Sequence, residues 1–298
     1  MIKKNIILLL VSYSLFAQTA GNTGLSFLKN GASAKTIAVS DIGFLNGDIS
    51  SVFYNPATVN FQESASVMFT HQAWIQDLNS EIVNANFSMF GLPFSVGANT
   101  TKISDFEIRT KPSELPDATF DVNYFYGSLS TGFNLYEQLY FGLSIKYLYE
   151  SLLADDATGF GYDFGLVYKN LVENLNLGVS IRNLGSMSEL RNEKTTLPSD
   201  LIINATYDFY YENASLNIIP VLGFQSYLDS EINHIHIGSE FLYDNHFALR
   251  IGYISGNESR NISAGAGVFW KGFNIDYAYT PFSYGIGNAN TISLQYNF

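Results

Sequence analysis

The chain predicts an all-β fold, a transmembrane antiparallel β-barrel of about fourteen strands with an N-terminal hatch or plug segment. Three observations carry this expectation. Apolar and polar residues alternate along segments of about ten residues, the length a tilted strand needs to cross a bilayer. The composition is poor in charge and rich in aromatics: 14% charged, 15% aromatic, with 20 Tyr and 24 Phe. Finally, the chain begins like an exported protein and ends on an aromatic strand, Ile292, Leu294, Tyr296 and Phe298.

In chain order, residues 1–17 read as a signal peptide. Lys3 and Lys4 precede an apolar run from Ile6 to Val11, and cleavage is expected after Ala17 or Ala20. That run is too short for a spanning helix, which needs about 20 residues. Residues 18–62 form the hatch. They lack sustained alternation and carry Gly21, Gly24, Gly31, Gly43 and Gly47. A short helix is expected around Gly31 to Val39 and a turn at Asn55-Pro56, because Pro56 cannot donate to a sheet ladder.

Residues 63–298 form the barrel. Strands are predicted near 63–74, 80–90, 93–104, 118–133, 137–151, 157–170, 173–183, 199–211, 214–228, 231–243, 245–255, 260–270, 272–280 and 289–298. The alternation is plainest in Phe247, Leu249, Ile251 and Tyr253 against Ala248, Arg250 and Gly252. Turn signals lie at Asp155-Asp156, Asp244-Asn245, Gly256-Asn257 and Lys271-Gly272. Longer polar loops are expected at 105–117 and 186–198. They are the natural protein-contact surfaces, because long barrel loops face outside the cell. A soluble sandwich would expose a charged face. Here the polar face is mostly Asn, Ser, Gly and Thr.

The formal charge is −12, which argues against a nucleic-acid partner. With no Cys there is no disulfide, thiolate chemistry or lipidated N-terminal cysteine. The strand phase points Lys146, Asp163, Arg182, His234, His236, Glu240, Arg250 and Asp276 into the lumen. Lys or Arg facing lipid would cost about 2–4 kcal/mol at the midplane. Two readings of this polar set stand side by side, a ligand or gate site and a network knitting wall to hatch. His234, His236 and Glu240 share a face, but no complete metal-ligand set is visible, and no metal or cofactor is expected. His71 has no evident partner. No nucleophile-elbow pattern occurs, so the chain is not expected to be an enzyme.

Four N-terminal motifs occur in order: Gly31 to Ala34, Ser40 to Gly43, Asn46 to Asp48, and Tyr54-Asn55-Pro56-Ala57. Together they resemble the signature of the PorV/PorQ family, related to FadL-type outer-membrane barrels. The stretch Gly178 to Gly185 and the ending from Asp276 to Phe298 are similar too. The sequence departs from the usual pattern at Val39 to Ile42, which lack a Gly-Gly pair, and at Thr58, where Gly is common. The resemblance implies a fourteen-stranded FadL-like barrel with a hatch motif at Asn55, Pro56 and Ala57. It also implies the outer membrane of a Bacteroidetes-like bacterium. The implied role is in type IX protein secretion or surface cargo attachment, with secretion components or cargo proteins as partners. The alternatives are a FadL-like passive transporter of hydrophobic small molecules and a structural barrel. Outer-membrane lipid and the assembly machinery that reads Tyr296 and Phe298 are expected partners in every case.

Overall fold

In a computed structural model describing residues 23–112, 114–153, 155–230 and 232–298, the chain forms a closed antiparallel barrel of fourteen strands. The strands are β1 (Ser66–Ala73), β2 (Leu78–Met89), β3 (Leu92–Ile108), β4 (Ala118–Tyr136), β5 (Leu139–Leu152), β6 (Asp155–Tyr168) and β7 (Leu175–Met187). They continue with β8 (Asp200–Tyr207), β9 (Leu216–Tyr227), β10 (Asn233–Tyr243), β11 (Phe247–Ile254), β12 (Ile262–Trp270), β13 (Phe273–Pro281) and β14 (Asn288–Asn297). Each pairs with its sequence neighbours, and β1 closes on β14 from Ser66↔Asn297 to Ala73↔Asn290. Closure leaves no free sheet edge along that seam. Phe298 lies just past β14, exposed, with its backbone N–H bonded to the Ala65 carbonyl at 2.9 Å. The expected signal segment lies outside the described residues.

The alternation sets which face is which. Along β11, Phe247, Leu249, Ile251 and Tyr253 are exposed, while Ala248, Arg250, Gly252 and Ile254 are buried. The greasy residues therefore face outward, as hydrocarbon requires, and the lumen takes the polar ones. Four of the six turns at the end where β1 starts and β14 finishes are tight, of two or three residues, while 169–174 and 208–215 are longer. Lys271-Gly272 and Phe90-Gly91 have both residues at positive φ (48° and 84°; 54° and 76°), the twist that suits a two-residue hairpin. Connections at the opposite end are longer, notably 109–117, 188–199 and 255–261.

Several sequence expectations shift. Asp155 and Asp156 are not a turn; they begin β6, paired with Leu152 and Ser151. The predicted loop at 105–117 shrinks to 109–117, because β3 and β4 climb to Ile108↔Ala118 across a register break between Ile103 and Phe106. The loop at 186–198 holds a small hairpin, Glu189–Leu190 against Glu193–Lys194.

Residues from Ser26 to Phe61 fill the lumen as four short helical turns: Ser26–Lys29, α1 (Ala34–Ala38), Ile49–Phe53 and Pro56–Phe61. Helices this short have no independent stability in water. Their ends are fixed by caps: Ser33, Asp48 and Asn55 each accept a backbone N–H of the turn they open. The predicted helix over 31–39 is thus trimmed to begin after Ser33. Asn55-Pro56 starts a helical turn rather than a simple bend, since Pro suits a first helical position.

Candidate functional site

The lumen divides along the barrel axis. Near the end that carries the strand termini, the hatch is bolted to the wall. Arg250 donates to Glu240 (2.6 Å) and Asp276 (2.6 Å), three inward side chains from β11, β10 and β13. Lys35 of α1 pairs with Asp48 at 3.1 Å beside this cluster. Burial disfavours the charge on Lys35, but Asp48 and Glu240 outweigh it and hold its pKa above the ordinary value. For Asp48, burial pushes up while Lys35 and Ser50 pull down, and the net is a lowered pKa.

Backbone contacts add to these bolts. The Ala34 N–H donates to Ser293 (2.8 Å), Ser263 donates to the Ala38 carbonyl (3.2 Å), and Ser180 donates to the Tyr54 carbonyl (2.7 Å). Asn55 donates its amide to the carbonyls of Leu166 (3.0 Å) and Val179 (3.2 Å), joining the hatch to β6 and β7. The wall gives way where the hatch lies against it. A Cβ on Gly142 would fall 2.2 Å from the Pro56–Ala57 peptide, and one on Gly252 2.1 Å from the Ser40 nitrogen. Only glycine admits such an approach.

Higher up, Arg182 forks onto Asp200 through Nε (2.9 Å) and Nη2 (2.5 Å), and its Nη1 reaches the Phe53 carbonyl (3.3 Å). Lys146 lies 2.7 Å from Asp163 and donates to Asn183 at 2.8 Å. Ser40 and Asp41 both have positive φ (73° and 59°), an uncommon backbone for residues with side chains. That turn is clamped from three directions. Tyr54 donates to Asp41 (2.5 Å), Arg260 pairs with Asp41 (3.1 Å), and His236 bonds the Ser40 carbonyl (2.5 Å). Burial and the neighbouring Asp41 carboxylate raise the Tyr54 hydroxyl pKa well above normal, keeping it a neutral donor.

At the far end lies a cavity of about 340 Å³, open to the loops. Its lining includes Trp74, Tyr227, Phe282, His234, Lys29 and Arg260. The ammonium of Lys29 sits over the Tyr227 ring (4.9 Å) and the Arg260 guanidinium over Trp74 (5.3 Å). Phe282 meets Trp74 edge-on at 5.3 Å. Trp74 and Leu78 also border a second recess of about 580 Å³, which runs outside the short β1–β2 turn along Ile103 to Glu107 of β3. Below the mouth, the space between Phe53 and the wall near Tyr126 and Lys146 shrinks to about 10 Å³.

All eight sequence-predicted lumen residues are buried inward, but they form three groups rather than one. Lys146, Asp163 and Arg182 hold the middle; Glu240, Arg250 and Asp276 hold the near end; His234 and His236 line the mouth cavity. His234 bonds the Ser255 carbonyl (3.0 Å) and is 6.2 Å ring to ring from His236. Among the described residues, no group of three or more His, Cys, Asp or Glu side chains is placed to hold a metal ion. His71 does have a partner, Glu81 at 2.6 Å across the β1–β2 pair. Sequence reasoning missed Lys35, Asp200, Gln225 and Arg260, and reached Asp41 and Asp48 only as members of the ordered N-terminal motifs. The strand alternation flags Asp200 and Gln225. The hatch and loop residues have no periodicity to reveal them.

No protein-family profile matches the sequence, and no curated protein is detectably similar to it. Solved structures do match in shape. The CymD monoaromatic hydrocarbon channel superposes with a TM-score of 0.62 at 12% identity, covering 90% of this chain and 98% of that one. The toluene transporter TodX of P. putida gives 0.60 at 12%, covering 90% and 99%. A Pseudomonas aeruginosa FadL homologue gives 0.57 at 11%, covering 90% and 99%. The chain therefore shares the fold of FadL-type outer-membrane barrels.

Proposed function

We propose that the protein is an outer-membrane channel that admits small hydrophobic molecules from the cell surface. The observation that carries this reading is the cavity at the far-end mouth, where the rings of Trp74, Tyr227 and Phe282 stand among polar side chains, and which shares Trp74 and Leu78 with the more apolar recess beside β3. Short turns mark the periplasmic end of such barrels and long loops the outer one, so the cavity opens outward. The shared fold with hydrocarbon channels supports the same reading. The lumen below the mouth is packed around the hatch, so passage requires the hatch to shift.

Vesicles with a lipopolysaccharide outer leaflet, which slows hydrocarbons that plain phospholipid lets through, test this once the purified protein is inserted. Toluene flux into a reporter-loaded lumen should rise with protein and saturate, while a sugar of similar size is excluded. Equal flux with and without protein would overturn the reading.

A second reading, a PorV/PorQ-like part in secretion or cargo attachment, draws on the ordered hatch motifs and on the β3–β4 arm that climbs to Ile108↔Ala118. Deletion of residues 109–117 should then reduce surface display of cargo without changing toluene flux. Unchanged display counts against it.

A further inference from the structure

The hatch grips only part of the wall. Its hydrogen bonds run to β5, β6, β7, β8, β10, β12 and β14, and among the described residues none joins it to β1, β3 or β4. The inner face of this ungripped arc is small and polar. Strand register sets one row around it: Ser66, Asn86, Ser95, Ser130, Ser144 and Asp163, one from each of β1 to β6, all buried. Two residues higher, the row on β2 to β5 is Asn84, Gly97, Ser128 and Lys146.

This polar surface continues in both directions. Toward the mouth, Ser80 donates to Thr101 (2.7 Å), which donates to Asn99 (3.1 Å). Ser80 faces Gln72 across β1 and β2, and two residues beyond them stand Leu78 and Trp74 of the mouth cavity. Toward the other end, Asn86 donates to Gln62 (2.7 Å) and to the Ser64 carbonyl (3.1 Å), in the linker by which the hatch enters β1. A strip of hydroxyl and amide groups therefore runs from the mouth to the periplasmic end.

The protein does not satisfy this strip by itself. Three buried amide nitrogens stand along it without an acceptor: Gln72 near the mouth, Asn84 midway and Gln62 at the foot. A buried donor that nothing meets costs about 1–3 kcal/mol. Opposite the middle of the strip the hatch presents Val52 and Phe53, whose side chains accept nothing. Between them and Ser95, Ser128, Ser130 and Ser144 lies the gap of about 10 Å³, the room one water fills. The Lys146 ammonium stands at its edge, 5.2 Å from the centre of the Phe53 ring.

We infer that this strip is a single-file water passage between the hatch and the inner faces of β1 to β5. Water steps from the mouth cavity past Gln72, Asn84 and the serine row to the linker, handed between side chains that donate and accept. A gap of one water strips an ion of its hydration shell, and the Lys146 charge repels cations, so ions do not follow. Unlike the hydrocarbon route, the passage needs no shift of the hatch. Its use would be to drain water that an apolar solute displaces from the mouth. That use rests on the proposed channel function; the passage itself does not.

The test uses the full protein in vesicles of saturated phosphatidylcholine and cholesterol, which pass water slowly. Stopped-flow osmotic shrinkage should be severalfold faster with wild-type protein than without it, while planar bilayers show no ion current. Ser130→Leu fills the gap and should return shrinkage to the protein-free rate; Ser95→Leu, its neighbour in the row, is the second filler. Phe53→Ala widens the gap and should speed shrinkage further. Resistance of the barrel to cold SDS confirms folding of each variant. Wild-type shrinkage at the protein-free rate, shrinkage indifferent to both fillers, or an ion current through wild type overturns the inference. Toluene flux should survive Ser130→Leu; its loss together with water flux would make the strip part of the hydrocarbon route and overturn a separate passage. Water flux without any toluene flux leaves the inference standing and sinks the channel reading.

Discussion

Two parts of one hatch are held in different ways. From Ser33 to Phe61 the chain is fixed by directional contacts: ion pairs, capped turns and hydrogen bonds to facing strands, over wall glycines that admit its backbone. From Gly24 to Asn30 it is held by ring stacking and apolar packing, with one backbone hydrogen bond, to Thr196 of the 188–199 loop, at its start. Directional contacts in a low-dielectric lumen are lost all at once and at high cost. Apolar contacts are non-directional and give way gradually. The comparison divides the hatch into a fixed floor and a softer insert.

The most damaging change to the floor should be Arg250→Met. It leaves Glu240 and Asp276 buried without their cation, a loss of about 3–5 kcal/mol in chemical unfolding. Adding Glu240→Gln and Asp276→Asn should recover most of it. A barrel as stable as wild type with Arg250→Met alone would mean the floor is hydrated and loose. Next is Gly142→Val, where the new side chain meets the Pro56–Ala57 peptide; overpacking of this kind costs about 1–3 kcal/mol. Gly127→Ala is the control, since its nearest side-chain neighbour is 3.5 Å away. Equal effects at the two sites would remove the case for a close-fitting floor.

A third prediction concerns pH. Asp48 has a lowered folded pKa, so its contribution is complete above about pH 3.9 and disappears as pH falls through the folded value. Lys35 has a raised one, so its contribution is complete below about pH 10.4 and disappears as pH rises through the folded value. The denaturation midpoint should therefore hold a plateau between these limits. Lys35→Met should lower that plateau and flatten its alkaline edge. The smallest effect is expected from Ser33→Ala, which removes the α1 cap and costs about 1 kcal/mol. Hydrogen exchange then separates the two regions: amides of 24–30 should exchange well before those of 34–61, and Ser33→Ala should narrow the gap. Uniform exchange across both would contradict the division.

Much of the barrel is legible in the sequence. A strand has a period of two, and a wall between hydrocarbon and a polar lumen must show that period. The residue phase therefore assigned Arg250, Glu240 and Asp276 to one interior, and aromatics such as Phe247 and Tyr253 to the outside. Tight turns were legible at Lys271-Gly272, because only residues tolerant of positive φ suit them. Asp155-Asp156 misled, because acidic pairs occur both in turns and at strand starts exposed to water.

The sequence by itself determined the wall, its two faces and the set of buried charges, since each follows from local spacing. Only the tertiary structure decided which charges meet, that Arg260 reaches Asp41, and that Phe27 stacks on Tyr124 and Tyr126. Those contacts join residues far apart in the chain across a closed lumen. Their pairing depends on strand register and hatch path, and neither leaves a periodic trace in the sequence.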